Sequence, residues 1–364
     1  MGKHRYLFVV QGEGRGHMTQ AIALQHLLTA QGHEICAVMV GKSERREIPQ
    51  FFYDKINAPI IPISSPNFVT DANNKSISLS KTILYNLKYF RRYWKNARKI
   101  HELVKKYQPD YIINFYEFLC GVYFLTYKPK NVKHICIGHQ YLINHPDFSL
   151  PEDYSKREKF FYDLNTIITS FNAYKKLALS FRKMNDISEK KIFVVPPLLR
   201  KEVLETTPEN EGHLLVYMVN AGYADEVIKW HKNYKDVVIH LFCDRKDIDD
   251  GTIFDETLTV HKLNDQKFLA SMKTAKAYAS TAGFESVCEA MYLGKPVMLI
   301  PPKGHFEQSC NALDAQITGG GIVYDSFDIS KLLEYLPKHK NEHSATFKEW
   351  VNKAAHSFSY HLTS

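Results

Sequence analysis

Two stretches of this chain hold residue types that do chemistry, and they lie far apart. Near the start, Gly12-Glu13-Gly14-Arg15-Gly16-His17 alternates glycines with charged residues and ends on a histidine, separated only by Gln11 from the apolar run Leu7-Phe8-Val9-Val10. Such a loop suits a phosphate cradle, a dinucleotide fingerprint, or a turn that aims one side chain. The fingerprint needs G-x-G-x-x-G and an acidic residue closing the next strand. Here the glycines fall at 12, 14 and 16, His17 follows, and the second apolar run ends in Gly41-Lys42. A nicotinamide-dependent oxidoreductase is excluded on both counts. What remains is aim. An imidazole near its ordinary pKa suits proton removal from a hydroxyl, and Gly14 and Gly16 let backbone approach a phosphate closely. Glu117 is the expected orienting partner of His17, and Glu13 and Glu117 are each alternative bases. Tyr116, beside Glu117, and His139 and Gln140, with His145 nearby, load two further loops of the same half.

The second stretch runs from Ser280 to Ala312. In Ser280-Thr281-Ala282-Gly283-Phe284-Glu285-Ser286 a strand end turns into a helix, whose free N–H groups and partial positive charge suit a diphosphate. Glu289, one turn in, suits the two hydroxyls of a ribose. Gly294 and Pro296 end that helix and start a strand. The loop beyond presents Glu307, Gln308 and Asn311, a carboxylate and two amides suited to a hydroxyl-rich ligand.

The elements that must hold these loops alternate. Apolar runs at 5–10, 34–40, 60–63, 111–115, 132–138, 165–170 and 192–195 read as strands, with helical stretches such as 19–30 and 79–106 among them. Strands separated by helices predict a parallel sheet covered on both faces. After Pro196-Pro197 the alternation restarts, with strands at 214–219, 237–243, 277–281 and 296–302. The expected organisation is an α/β chain of two Rossmann-like domains, 1–197 and 198–342, with a cleft between them. A C-terminal helix in 343–364, carrying Phe347, Trp350, Val351 and Ala354 on one stripe, is expected to pack back toward the first domain.

The pattern G-x-x-x-x-x-E-A-x-x-x-G-x-P from Gly283 to Pro296, a strand, then Glu307-Gln308-x-x-Asn311-Ala312 resembles the donor region of GT-B nucleotide-sugar glycosyltransferases. It is similar to family 28, the UDP-GlcNAc transferases of peptidoglycan synthesis, and to bacterial and archaeal relatives with an N-terminal G-E-G-x-G-H. The resemblance covers the whole chain. It implies a nucleotide-sugar donor, UDP-linked, transferred with inversion to an acceptor hydroxyl on a lipid-linked or cell-envelope glycan. It assigns Glu289 to the ribose, Glu307 and Gln308 to the sugar, Gly283 and Phe284 to the phosphates, and His17 to the base. In the loop after the first strand of the second domain, relatives carry several glycines. Here Asn220 and Gly222 are the phosphate candidates, with a single glycine in the loop. A UDP-sugar epimerase and a non-catalytic nucleotide-sugar binding protein are the competing readings.

Composition bounds the rest. Among the 364 residues the formal net charge is +8, which favours anionic partners, and no arginine-rich tail points to nucleic acid. The stretch Lys81 to Lys106, basic and interleaved with Tyr85, Tyr89, Phe90, Tyr93 and Trp94, offers peripheral contact with an anionic membrane or an amphipathic helix with a solvated basic face. Six scattered cysteines without a C-x-x-C read as buried thiols of a reducing compartment, and the expected location is the cytoplasm. Asp247-Ile248-Asp249 is a metal-type D-x-D in a highly charged turn and reads as a solvated loop. No metal or other cofactor is expected beyond the nucleotide-sugar substrate, because helix dipoles and side chains offset a diphosphate's charge.

Overall fold

The computed structural model describes residues 2–43, 47–66, 89–218, 221–245 and 247–363. Two seven-stranded sheets organise them. The first holds β1 (Arg5–Gln11), β2 (Glu34–Lys42), β3 (Ile60–Ser64), β4 (Tyr111–Phe115), β5 (Lys133–Ile137), β6 (Lys175–Leu179) and β7 (Ile192–Val195), in the order β3-β2-β1-β4-β5-β6-β7. Every pairing in it is parallel. The second holds β8 (Leu214–Met218), β9 (Ile239–Cys243), β10 (Thr252–Ile253), β11 (Leu258–His261), β12 (Ala277–Ser280), β13 (Val297–Leu299) and β14 (Gly321–Val323), in the order β10-β11-β9-β8-β12-β13-β14. It is parallel except for β10 against β11. Helices cover both faces, so central strands are apolar throughout; Leu7, Phe8, Val9 and Val10 are all inaccessible to solvent.

Strand order reverses between β1 and β4 in one sheet and between β8 and β12 in the other. Ligands of open α/β sheets bind outside the strand ends at such reversals. The loops leaving β1, β4 and β12 are the ones rich in candidate residues, so topology gathers what the chain separates.

The helix Gly16–Ala30 buries His17 through Gln25 without a break, rather than one stripe. It lies in the seam between the two halves, with apolar neighbours on more than one side, and its sequence accordingly lacks amphipathic periodicity.

Two readings require correction. The run 165–170 is no strand: it ends the helix Lys156–Thr169, begun by Ser155, whose hydroxyl accepts from Glu158 N at 3.3 Å. The strand is β6, whose two leading lysines disguise it. Lys175 donates to His361 O at 2.8 Å, its ammonium lying over the rings of Tyr174 and Phe193. The C-terminal stripe belongs to two helices, Asn341–Val351 and Ala354–Thr363, not one. Their residues reach the first half: Trp350 Nε1 donates to Ser180 O at 2.9 Å and Tyr6 Oη to Leu362 O at 3.1 Å. In the basic stretch, the helix Phe90–Tyr107 turns Tyr93, Ala97 and Ile100 inward and leaves Arg91, Arg92 and Trp94 exposed, as an amphipathic helix packed on the sheet does. Lys81 and Tyr85 lie outside the described residues. All six cysteines are buried and free. No helix among the described residues is long and apolar enough to cross a membrane.

Candidate functional site

The loop after β1 is tight for reasons of packing. Gly12 N donates to Gly41 O at 2.7 Å, and a Cβ on Gly12 would stand 2.7 Å from Val40 Cγ1. A Cβ on Gly16 would stand 2.9 Å from Glu285 Cγ, so this glycine admits a side chain of the other half. At Gly14 a Cβ would meet nothing within 4 Å, which leaves open space beside the backbone.

His17 follows at the first turn of its helix, 9% exposed. Its Nδ1 is 3.2 Å from Gln20 Oε1 and its Nε2 is 3.4 Å from Gln140 Nε2. An amide oxygen only accepts, so Nδ1 carries the proton and Nε2 offers its lone pair to the Gln140 N–H. Each glutamine is held in turn by a glutamate of the second half. Gln20 donates its amide to Glu285 Oε1, and Gln140 donates to Glu307 Oε1 at 2.9 Å. The result is one chain, Glu285–Gln20–His17–Gln140–Glu307, that crosses the seam at both ends. Burial lowers the His17 pKa to about 4, against a smaller opposing effect of Gln20, so the imidazole is neutral at ordinary pH. Burial pushes Glu285 up to about 8 and Glu307 up to about 7.

Tyr116 stands behind His17, ring centroids 6.0 Å apart, in a left-handed conformation (φ 59°), its hydroxyl 2.7 Å from Thr166 Oγ1. The expected orienting partner does not take that role. The Glu117 carboxylate accepts from Ser65 Oγ and from Leu119 N, capping the helix Phe118–Tyr127, and it lies where a Cβ on Gly41 would go. Burial raises its pKa to about 7. Glu13 accepts from Ser43 N. Neither carboxylate is a hydrogen-bond partner of His17; Gln20, one helical turn on, fills that place.

In the second half, the helix Phe284–Tyr292 begins at Gly283 with no side-chain cap. The left-handed residue of the turn is Ala282 (φ 61°), not Gly283 (φ −70°), and Asn311 Nδ2 secures it by donating to Ala282 O at 3.1 Å. Asn311 therefore shapes the loop. Around Gly283 the nearest atom to a Cβ would be Ser286 Oγ at 3.8 Å, so the turn is not crowded at that position. Phe284 stacks on His139 at 4.2 Å and packs against Phe181 at 4.6 Å. His139 is also fixed by Leu179 O at 2.7 Å from its Nδ1, and acts here as a packing group of the seam.

Glu289 is 2% exposed and gripped by Arg200, with Nε to Oε1 and Nη2 to Oε2 both at 2.6 Å. The second face of Arg200 meets Asp265, and Lys55 of the first half reaches Asp265 at 3.2 Å and Glu202 at 2.7 Å. Burial opposes the Arg200 charge, but Glu289 and Asp265 outweigh it and raise its pKa. Arg200 occupies two of the roughly four acceptor positions of the Glu289 carboxylate. Sequence reasoning missed both Gln20 and Arg200. The signal for Arg200 was a cation closing the apolar run Val194-Val195-Pro196-Pro197-Leu198-Leu199. A cation in such a place is buried and needs carboxylates.

Gln308 Oε1 is buried without a partner. Gly222 lies in the short 3₁₀ turn Ala221–Tyr223 after β8, and Asn220 lies outside the described residues. The D-x-D acids are a surface matter: Arg245 holds Asp247 at 2.6 Å and also Asp225. No cluster of three or more acids, histidines or cysteines suited to a metal ion occurs among the described residues.

Comparison with known proteins gives one family and a consistent set of folds. The family model of glycosyl transferase family 1 matches residues 4–338. A search of curated proteins returns no match. Similar solved structures include the glycotransferase of kitacinnamycin (14% identity, TM-score 0.65, 99% of this chain and 98% of that one). Another is LpCGTa in complex with UDP (12%, TM-score 0.65, 100% and 99%). A third is the glycosyltransferase SnogD from Streptomyces nogalater (11%, TM-score 0.60, 100% of both chains). The two sheets are those of the GT-B fold.

Proposed function

The chain belongs to glycosyl transferase family 1, and from that premise we propose that it moves a sugar from a nucleoside-diphosphate donor, UDP-linked, to an acceptor hydroxyl with inversion. His17 Nε2 takes the hydroxyl proton as the oxygen attacks the anomeric carbon. The bond from that carbon to the diphosphate breaks on the opposite side, and the leaving diphosphate is received by the N-terminus of the helix Phe284–Tyr292. The observation that carries this reading is the buried neutral His17, tautomer set by Gln20, facing the donor half across the seam. The Gln140 N–H at Nε2 stands where the acceptor hydroxyl donates. Glu307 and Gln308 face the sugar, and Glu289 the ribose. UDP draws support from the similar structure solved with UDP. The acceptor is a hydroxyl on a lipid-linked or envelope glycan, and the site of action is cytoplasmic.

The test is His17→Ala. We expect turnover to fall about 10²–10⁴-fold, the span of general-base catalysis, while UDP still raises the melting temperature as in the parent. Unchanged turnover rejects His17 as base. Failure of every nucleoside diphosphate and nucleotide sugar to stabilise the parent protein rejects the donor class.

A further inference from the structure

An amide side chain can be turned end for end with little change of shape, so its partners decide which way it points. Gln20 is 2% exposed, and water does not take the place of those partners. Its oxygen meets His17 Nδ1 at 3.2 Å, and its nitrogen donates to Glu285 Oε1. With the amide reversed, its nitrogen would face Nδ1 and its oxygen would face the Glu285 oxygen. Two acceptors opposed in a buried place cost the hydrogen bond and leave both unsatisfied. Glu285 Oε1 therefore selects one direction of the two. It accepts in either protonation state of the carboxyl, because a neutral carboxyl keeps the lone pairs of its carbonyl oxygen. Through Gln20 the choice reaches the imidazole: Nδ1 holds the proton and Nε2 keeps its lone pair.

Glu285 reaches Gln20 because of what Gly16 lacks. A Cβ on Gly16 would stand 2.9 Å from Glu285 Cγ, so the side chain of the second half enters through a slot in the first turn of the His17 helix. Gly16 is not among the residues of positive φ, so its backbone does not call for glycine and the slot does. The other contact of the ring is slacker. The Gln140 nitrogen lies 3.4 Å from Nε2, longer than an ordinary N–H hydrogen bond, and holds the tautomer weakly. Glu13 and Glu117, the carboxylates nearest in the first half by loop position, are engaged with Ser43 N and with Ser65 Oγ and Leu119 N. The group that orients the ring from behind thus comes from across the seam.

We propose that Glu285 is a positioning residue for the base: it holds Gln20 in the direction that fixes the Nδ1–H tautomer of His17, so the base is armed only when the two halves meet. This rests on the reading of His17 as the base. With the halves apart, Gln20 loses the acceptor that chose its direction, and both tautomers are open to the ring. The Nε2–H form has no lone pair at Nε2 and takes no proton there. Glu285 is the second residue of the helix Phe284–Tyr292. In the same reading the N-terminus of that helix receives the leaving diphosphate. One rigid element then serves both ends of the reaction, which ties removal of the acceptor proton to a seated donor half.

The experiment reads the imidazole directly, by proton–nitrogen correlation of the whole protein labelled with nitrogen-15 at histidine, near neutral pH. The His17 signals are assigned by their loss in His17→Ala. We expect the parent to show Nδ1 protonated and Nε2 bare. Glu285→Met keeps the bulk and removes the acceptor, so the two directions of Gln20 become alike. Gly16→Ala leaves every hydrogen-bonding group in place and fills the slot. Each should bring in the Nε2–H form and lower kcat by the factor by which the Nδ1–H form is depleted, at least about twofold for equal populations. In a Gln20→Met background, Glu285→Met should cost no further kcat, because its effect passes through Gln20. A parent with Nε2 protonated overturns the proposal. So do variants that both keep the parent's tautomer, whatever their stability, and so does an added loss of kcat in the double variant. Undiminished turnover in His17→Ala, with the tautomer shifting as expected in the other variants, rejects the base reading instead, and the role of Glu285 in the reaction falls with it.

Discussion

At the residue scale, His17 is the group whose surroundings differ most from what its position in the sequence promised. A carboxylate is the expected orienting group behind His17, and loop position points to Glu117. The structure puts an amide there instead. An amide oxygen fixes the same tautomer but adds no negative charge, so the imidazole keeps a pKa lowered to about 4 rather than raised. The acidic limb of the pH–rate profile should therefore lie well below the ordinary histidine range, with activity lost only as pH falls toward about 4. Gln20→Met keeps the bulk and removes both hydrogen bonds. It should lower kcat by up to about 100-fold, the scale of a misoriented catalytic group, with donor KM little changed. A variant that raises KM alone would assign Gln20 to donor binding. His17, Gln140, Glu285 and Glu307 were each legible from residue type and loop position. Gln20 was not, because a glutamine inside an unbroken buried helix carries no pattern of its own.

At the scale of elements, legibility followed length and hydrophobic contrast. The glycine loop with its strand and helix, and the strand-turn-helix at Gly283, stood out because turn residues punctuate long apolar runs. β10, β11 and β14 have two to four residues each and offered no such contrast. The misread run Thr166-Ile167-Ile168-Thr169 is rich in β-branched residues, and local propensity favours a strand there. Tertiary packing overrides it. The helix Phe118–Tyr127 crosses so closely that a Cβ on Gly121 would lie 1.7 Å from Ile168 O. That contact is backbone against a glycine, invisible in either segment alone. Gly121→Ala must push the two helices apart, and overpacking of this kind costs about 1–3 kcal/mol or more. Urea denaturation should show the loss with an unchanged m-value; a midpoint equal to that of the parent would mean the crossing is looser than the distance implies.

At the scale of the whole molecule, the two halves are joined by polar groups rather than by a large apolar contact alone. Glu285, Glu307 and the Arg200–Glu289–Asp265 cluster come from the second half. Gln20, Gln140 and Lys55 meet them from the first. The sequence displayed the two residue sets separately but not their pairing, since nothing in either half records which loop of the other it faces. The pairing has a pH signature. Burial, the Gln20 contact and the Glu289 charge leave the Glu285 pKa at about 8 in the closed seam, against its ordinary 4.5. A carboxyl whose folded pKa is raised contributes stability that is complete below the ordinary value and is lost as pH rises through the folded one. Buried histidines such as His17 and His305, both lowered to about 4, act in the opposite direction below pH 6.5, so the raw melting curve mixes the two. Glu285→Gln isolates the first effect: it keeps an acceptor for the Gln20 amide and carries no charge. Its melting temperature should match or trail the parent's near pH 5 and overtake it progressively between about pH 5 and 8. Arg200 and Glu289 lie close to this carboxyl and are unaltered in the comparison. A difference between the two proteins that stays flat across that range would mean Glu285 is ionised throughout, and that the seam is held closed against a full negative charge.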